Sequence, residues 1–94
     1  MSIALTVEGC KGYFQELAAA LCEDPELFGS EFDSLISFPE EGIEGEEMEV
    51  SKVLSLLKGC DISNYDEPLA EEYNELLDRL SKLNPGKKIS FTIA

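Results

Sequence analysis

The chain has 94 residues, 44% of them apolar and 29% charged, a globular composition that supports one modest core, since a chain this size buries roughly 60–65% of its unfolded surface. Its 20 acidic residues outnumber 7 basic ones, there is no histidine, and the net charge is −13. Such a charge repels nucleic acid and membrane surfaces, and without histidine the commonest general base is missing.

Ser2 to Val7 alternates, with Ile3, Leu5 and Val7 on one side, which predicts a strand with one buried face ending at Gly9. Lys11 to Glu23 predicts a helix whose stripe is Phe14, Leu17, Ala18 and Leu21. Asp24-Pro25 closes it and opens a second helix, with Asp24 as N-cap and Pro25 at the first helical position. Phe28, Phe32, Leu35 and Ile36 form the second stripe, Gly29 weakens it, and Pro39 ends it.

Residues 40–50 read either as an exposed acidic loop or as a short edge strand over Glu46–Ser51, with Met48 and Val50 inward. Gly42 and Gly45 fit a turn before such a strand. Lys52 to Lys58 predicts a short helix capped by Ser51 or a neighbour and stopped by Gly59. The last helix runs from about Glu67 to Leu83, with Asn64 and Asp66 as equal candidates for its cap. Its stripe is Leu69, Tyr73, Leu76, Leu77, Leu80 and Leu83, and Glu75–Arg79 and Asp78–Lys82 are spaced for i,i+4 pairing. Asn84-Pro85-Gly86 is a turn, and Lys88 to Ala94 alternates as a final strand with Ile89, Phe91 and Ile93 on one face. The expected architecture is one acidic domain over residues 1–94, of mixed α/β (α+β) class. Its terminal strands form a two- or three-stranded sheet, and about four helices pack on it.

Little in the sequence points to catalysis. No serine or cysteine has a recognised nucleophile setting, and no glycine-rich phosphate loop is present. A carboxylate dyad could cleave glycosides, but 20 acids give accidental pairs and a domain this small rarely forms the cleft. Cys10, Cys22 and Cys60 have no paired spacing and read as buried, reduced thiols of a cytosolic protein. Asp61, Ser63, Tyr65 and Glu72 follow part of a calcium-loop count, but Tyr65 is wrong for position 5 and Asp66 replaces the required glycine. The expectation is a cytoplasmic non-enzyme with no metal and no cofactor. No signal peptide or membrane span is read from the sequence.

The acids are unevenly placed. Residues 1–50 hold 13 acids and one base, Lys11, while residues 51–94 hold 7 acids and 6 bases. No lysine or arginine occurs from Gly12 to Ser51. The candidate partner-binding residues are Glu26, Glu31, Asp33, Glu40, Glu41, Glu44, Glu46, Glu47 and Glu49, bordered by Glu23 and Asp24. Duplex phosphates recur at about one charge per 1.7 Å of axis, so a carboxylate surface can occupy a nucleic-acid groove on another protein. Glu71, Glu72, Glu75 and Asp78 form a second acidic face, read as an ordinary solvated helix side.

PELFGSEFDSL, residues 25–35, resembles the stretch of the barstar family that reads roughly Pro-Glu-Tyr-Tyr-Gly-x-Asn-Leu-Asp-Ala-Leu. The expected order of elements is also similar. The resemblance implies an inhibitor whose acids block the active site of a small ribonuclease, with Asp33 at one acid position. The family's next acid falls on Ser37 here, its asparagine is Glu31, and its tryptophan is missing.

The function read from the sequence is an acidic inhibitor of a basic nucleic-acid-handling protein: a nuclease, a restriction or CRISPR effector, or a toxin. Immunity proteins, antitoxins and anti-CRISPRs are of this class. The alternative is an adaptor or assembly subunit whose acidity serves only solubility.

Overall fold

Gly9, at φ +81°, lets the chain reverse after three residues of strand. The structure, a computed structural model, describes residues 3–94. Strand β1 (Leu5–Val7) is followed by β2 (Cys10–Phe14), paired antiparallel across the Glu8-Gly9 turn with a bulge between the Leu5·Phe14 and Val7·Cys10 pairs. The predicted first helix therefore loses its first four residues to a strand. Helix α1 spans only Gln15–Glu23. Its stripe survives the change, since Phe14, Leu17, Ala18 and Leu21 are all buried.

The second helix is mostly absent. Pro25 to Phe28 make tight turns, with Leu27 N–H donating to the Asp24 carbonyl and Gly29 N–H to that of Glu26. Asp24 caps a turn instead of a helix: its Oδ1 accepts from Glu26 N–H at 3.2 Å. Gly29 then adopts φ +94°, ψ 160°, a conformation essentially reserved for glycine, so no helix can pass through it. Helix α2 is the single turn Ser30–Asp33, and β3 (Ile36–Ser37) follows where helix was expected. Phe28, Phe32, Leu35 and Ile36 are nevertheless buried. Phe32 meets Phe28 edge-to-face, with ring centroids 5.1 Å apart, and Phe91 at a tilt, 4.7 Å apart, so aromatic packing fixes a segment with little regular structure.

A 3-10 turn (Pro39–Glu41) leads to β4 (Met48–Glu49), α3 (Val50–Lys58), α4 (Glu67–Ser81), β5 (Lys88–Ile89) and β6 (Phe91–Ile93). The main sheet has the order β2-β1-β6-β3, with β6 antiparallel to β1 and parallel to β3. The terminal strands thus pair as expected, but the sheet has four strands, and β4 with β5 makes a second, two-stranded sheet. Ala4 and Ala94 extend the β1·β6 ladder through reciprocal backbone bonds. Ile3 lies beyond that pair and is 37% exposed, contrary to the inward position expected of it; Ser2 lies outside the described residues.

Two helices borrow their N-terminal caps. The Phe14 side chain cannot cap α1, and Oε1 of Glu72 on α4 accepts from Leu17 N–H at 3.1 Å instead. At α3, Ser51 does not act as the cap. The helix begins at Val50, and its first N–H groups donate to the carbonyls of Lys87 (2.9 Å, from Val50) and Pro85 (3.1 Å, from Ser51). Only α4 caps itself, with Asp66 Oδ1 accepting from Leu69 N–H at 3.1 Å, which decides between the two candidates. The buried Tyr73 hydroxyl donates to the Leu57 carbonyl and joins α4 to the end of α3.

Glu72→Ala should cost about 1 kcal/mol, as for a lost N-cap, while Glu71→Ala on the exposed face should stay within about 0.5 kcal/mol. Urea unfolding of both variants measures the difference. Desolvation, and then nearby Cys60, raises the pKa of the Tyr73 phenol. A raised folded-state pKa holds stability fully below the unfolded value of about 10 and loses it as pH rises through the folded one. Alkaline unfolding should therefore begin at higher pH in Tyr73→Phe, followed by circular dichroism.

Candidate acidic surface

The acidic run is anchored through its backbone. Phe38 and Ile43 exchange two bonds, Phe38 N–H to Ile43 at 2.9 Å and Ile43 N–H to Phe38 at 3.1 Å. Between them lie the Pro39–Glu41 turn and Gly42, whose φ of +72° closes it. Gly45 N–H donates to Ser37 Oγ at 2.7 Å, and Glu46 N–H to the Ser34 carbonyl at 2.8 Å. Residues 43–46 thereby run along the β3 side of the sheet and help blunt an edge that could otherwise recruit another strand. Gly45 allows this approach because a Cβ there would stand 2.3 Å from the Leu35 carbonyl oxygen.

With the backbone tied inward, the carboxylates face water. Glu26, Glu31, Glu40, Glu41, Glu44, Glu46, Glu47 and Glu49 are exposed, and Asp33 is half-buried. Among the described residues the ion pairs are Arg79–Glu75 (3.0 Å) and Lys82–Asp78 (3.1 Å), both on α4 at the expected spacing. Neither includes any of the nine candidates.

Three of the nine line two adjoining hollows. Asp33 and Glu41 line one hollow together with Pro25, and Glu40 and Glu41 line its neighbour. Glu46 lines neither hollow, and its backbone N–H donates to the Ser34 carbonyl just past the end of α2. Glu31 and Asp33 flank buried Phe32 on α2, and Glu26 sits in the preceding turn. Glu49 stands apart on β4, directly across from Lys88 of β5. Of the two readings for Glu46–Ser51, the structure gives a strand of two residues, Met48 and Glu49, followed at once by helix. Val50 is buried as expected, and Met48 is half-buried.

The second acidic face is less uniform than expected, because half-buried Glu72 is committed to capping α1. Asp61 Oδ1 accepts from Ser63 N–H at 2.9 Å. Those Ser63 backbone and side-chain bonds hold the Asp61 carboxyl below its ordinary value. Among the described residues, no three acids or thiols group as a metal site. The thiols are not all buried: Cys22 is exposed, Cys10 and Cys60 are half-buried, and no disulfide links them among the described residues. Burial pushes the Cys60 thiol up.

The sequence reading missed Cys22, Phe38 and Ile43 as neighbours of the acids. A signal was present: Phe38 and Ile43 bracket Pro-Glu-Glu-Gly, a tight-turn composition between two apolar residues. No family model matches the chain, and no curated protein or solved structure does either.

Gly45→Ala should detach the loop, with a cost of about 1–3 kcal/mol for overpacking and faster hydrogen exchange at the Glu46 and Ile43 amides. At Gly42 a Cβ meets nothing within 4 Å. Gly42→Ala should cost only its backbone strain, about 1–2 kcal/mol, and leave Glu46 protected.

Proposed function

We propose that this chain is an acidic inhibitor. It binds a basic nucleic-acid-handling protein, such as a nuclease, a restriction or CRISPR effector or a toxin, and its carboxylates take the place of phosphates. The observation that carries the reading is the anchored acidic loop, with exposed side chains that join no ion pair among the described residues. An anionic surface on a fixed backbone lowers the cost of ordering the loop itself on binding, and its charge steers encounter, with on-rates up to roughly 10⁸–10⁹ M⁻¹s⁻¹ at low salt. We place the protein in the cytoplasm, where cysteines that form no disulfide stay reduced. No helix among the described residues is long and apolar enough to cross a membrane.

One observation favours the adaptor reading. Tyr13 is 79% exposed on β2, an edge strand of the main sheet, where an aromatic side chain suits an apolar contact.

A pull-down with the triple variant Glu44→Lys, Glu46→Lys, Glu47→Lys separates the two readings. Glu49 is left alone because a lysine there would face Lys88. On the inhibitor reading, the wild type retains a basic nucleic-acid-binding protein at low salt, releases it at high salt, and loses at least about tenfold in binding when reversed. Retention unaffected by salt or by the reversal, with the far-UV spectrum unchanged, would favour the adaptor.

A further inference from the structure

Beside the anchored loop, two hollows of about 410 and about 180 Å³ meet at Cys22, Phe38 and Glu41. The larger is also lined by Leu21, Pro25 and Asp33. The smaller continues past the end of the main sheet, where exposed Ile3 and buried Ile93 also line it, and reaches Glu40. The walls are thus largely apolar, while the charged groups are three carboxylates. Among the described residues, no lysine or arginine lines either hollow.

This pairing of apolar wall and acidic rim restricts what can cover it. A neutral surface would desolvate Asp33 and Glu41 without compensation. A purely cationic surface would leave Phe38, Leu21 and Ile3 unused. Charge by itself speeds encounter, whereas affinity comes from a few buried anchors inside a charged rim. We infer that this groove receives an apolar side chain of the basic partner, flanked in the partner's chain by lysine or arginine. The inference rests on the inhibitor reading and gives it a specific contact.

The test uses two synthetic peptides as probes, Arg-Lys-Leu-Lys-Arg and Arg-Lys-Ser-Lys-Arg. Each is titrated at low salt into the ¹⁵N-labelled chain and into its Cys22→Trp variant, which fills the groove from an exposed position. The leucine peptide should bind about tenfold more tightly than the serine peptide, the factor expected for partial burial of one aliphatic side chain. Its shifts should center on Cys22, Phe38 and Glu41, and Cys22→Trp should abolish the difference between the peptides. Equal binding by both peptides, with shifts spread over the acidic residues, overturns the groove and leaves the charge-based reading standing. Failure of both peptides to bind overturns the groove and the charge-based reading together. A leucine preference that persists in Cys22→Trp places the apolar contact elsewhere and overturns the groove alone.

Discussion

Like-charge repulsion is the constraint to which the rest of this structure answers. Thirteen acids in the first fifty residues face only Lys11 there, and carboxylates so close in sequence are tolerable only in water, where screening acts within about 10 Å. The fold meets the constraint by placing the loop's anchored backbone and its charged side chains in two environments. Peptide groups are satisfied internally, through the Phe38·Ile43 pair and the bond from Glu46 to Ser34, and side chains are left outside. Gly42 and Gly45 make the division possible, one through a left-handed backbone and the other by admitting the Leu35 carbonyl.

The more balanced half of the chain supplies much of the support. Glu72 caps α1, the turn at Pro85 and Lys87 caps α3, and β6 is the strand on which both β1 and β3 pair. The acidic loop is thus tied to residues of its own half, Ser34, Ser37 and Phe38, while β3 and α1 are held by β6 and Glu72 from the half that is nearly neutral. This rigidity serves the proposed role, since a rigid anionic surface costs less to engage than a flexible one.

What the sequence made legible followed from burial. The stripes at Phe14–Leu21 and Phe28–Ile36 are in the core, as are Tyr73, Leu76 and Leu80 of the α4 stripe, whose Leu69, Leu77 and Leu83 pack half-buried against it, and the α4 cap and ion pairs rest on contacts within a few residues. What it hid depended on distant residues or on single backbone angles. Phe14 reads as helix until the hairpin at Gly9 turns its segment into a strand, and Phe32 reads as mid-helix until Gly29 adopts a positive φ. Caps donated from α4 and from the Pro85 turn leave no local mark at Phe14 or Ser51. The candidate acids were legible as exposed charge, while their sorting around the groove, with Glu49 set apart opposite Lys88, required the tertiary structure.

The central claim is that the acids of the first half repel one another across water and are not neutralised within the molecule. The direct measurement is the urea midpoint at neutral pH as KCl rises from about 20 mM to about 0.5 M, a range over which the Debye length falls from roughly 20 Å to below 5 Å. The midpoint should rise, because screening relieves repulsion that only the folded chain concentrates. A midpoint that falls with salt, or does not move, would mean that attractive pairs already balance these charges, and would contradict the claim.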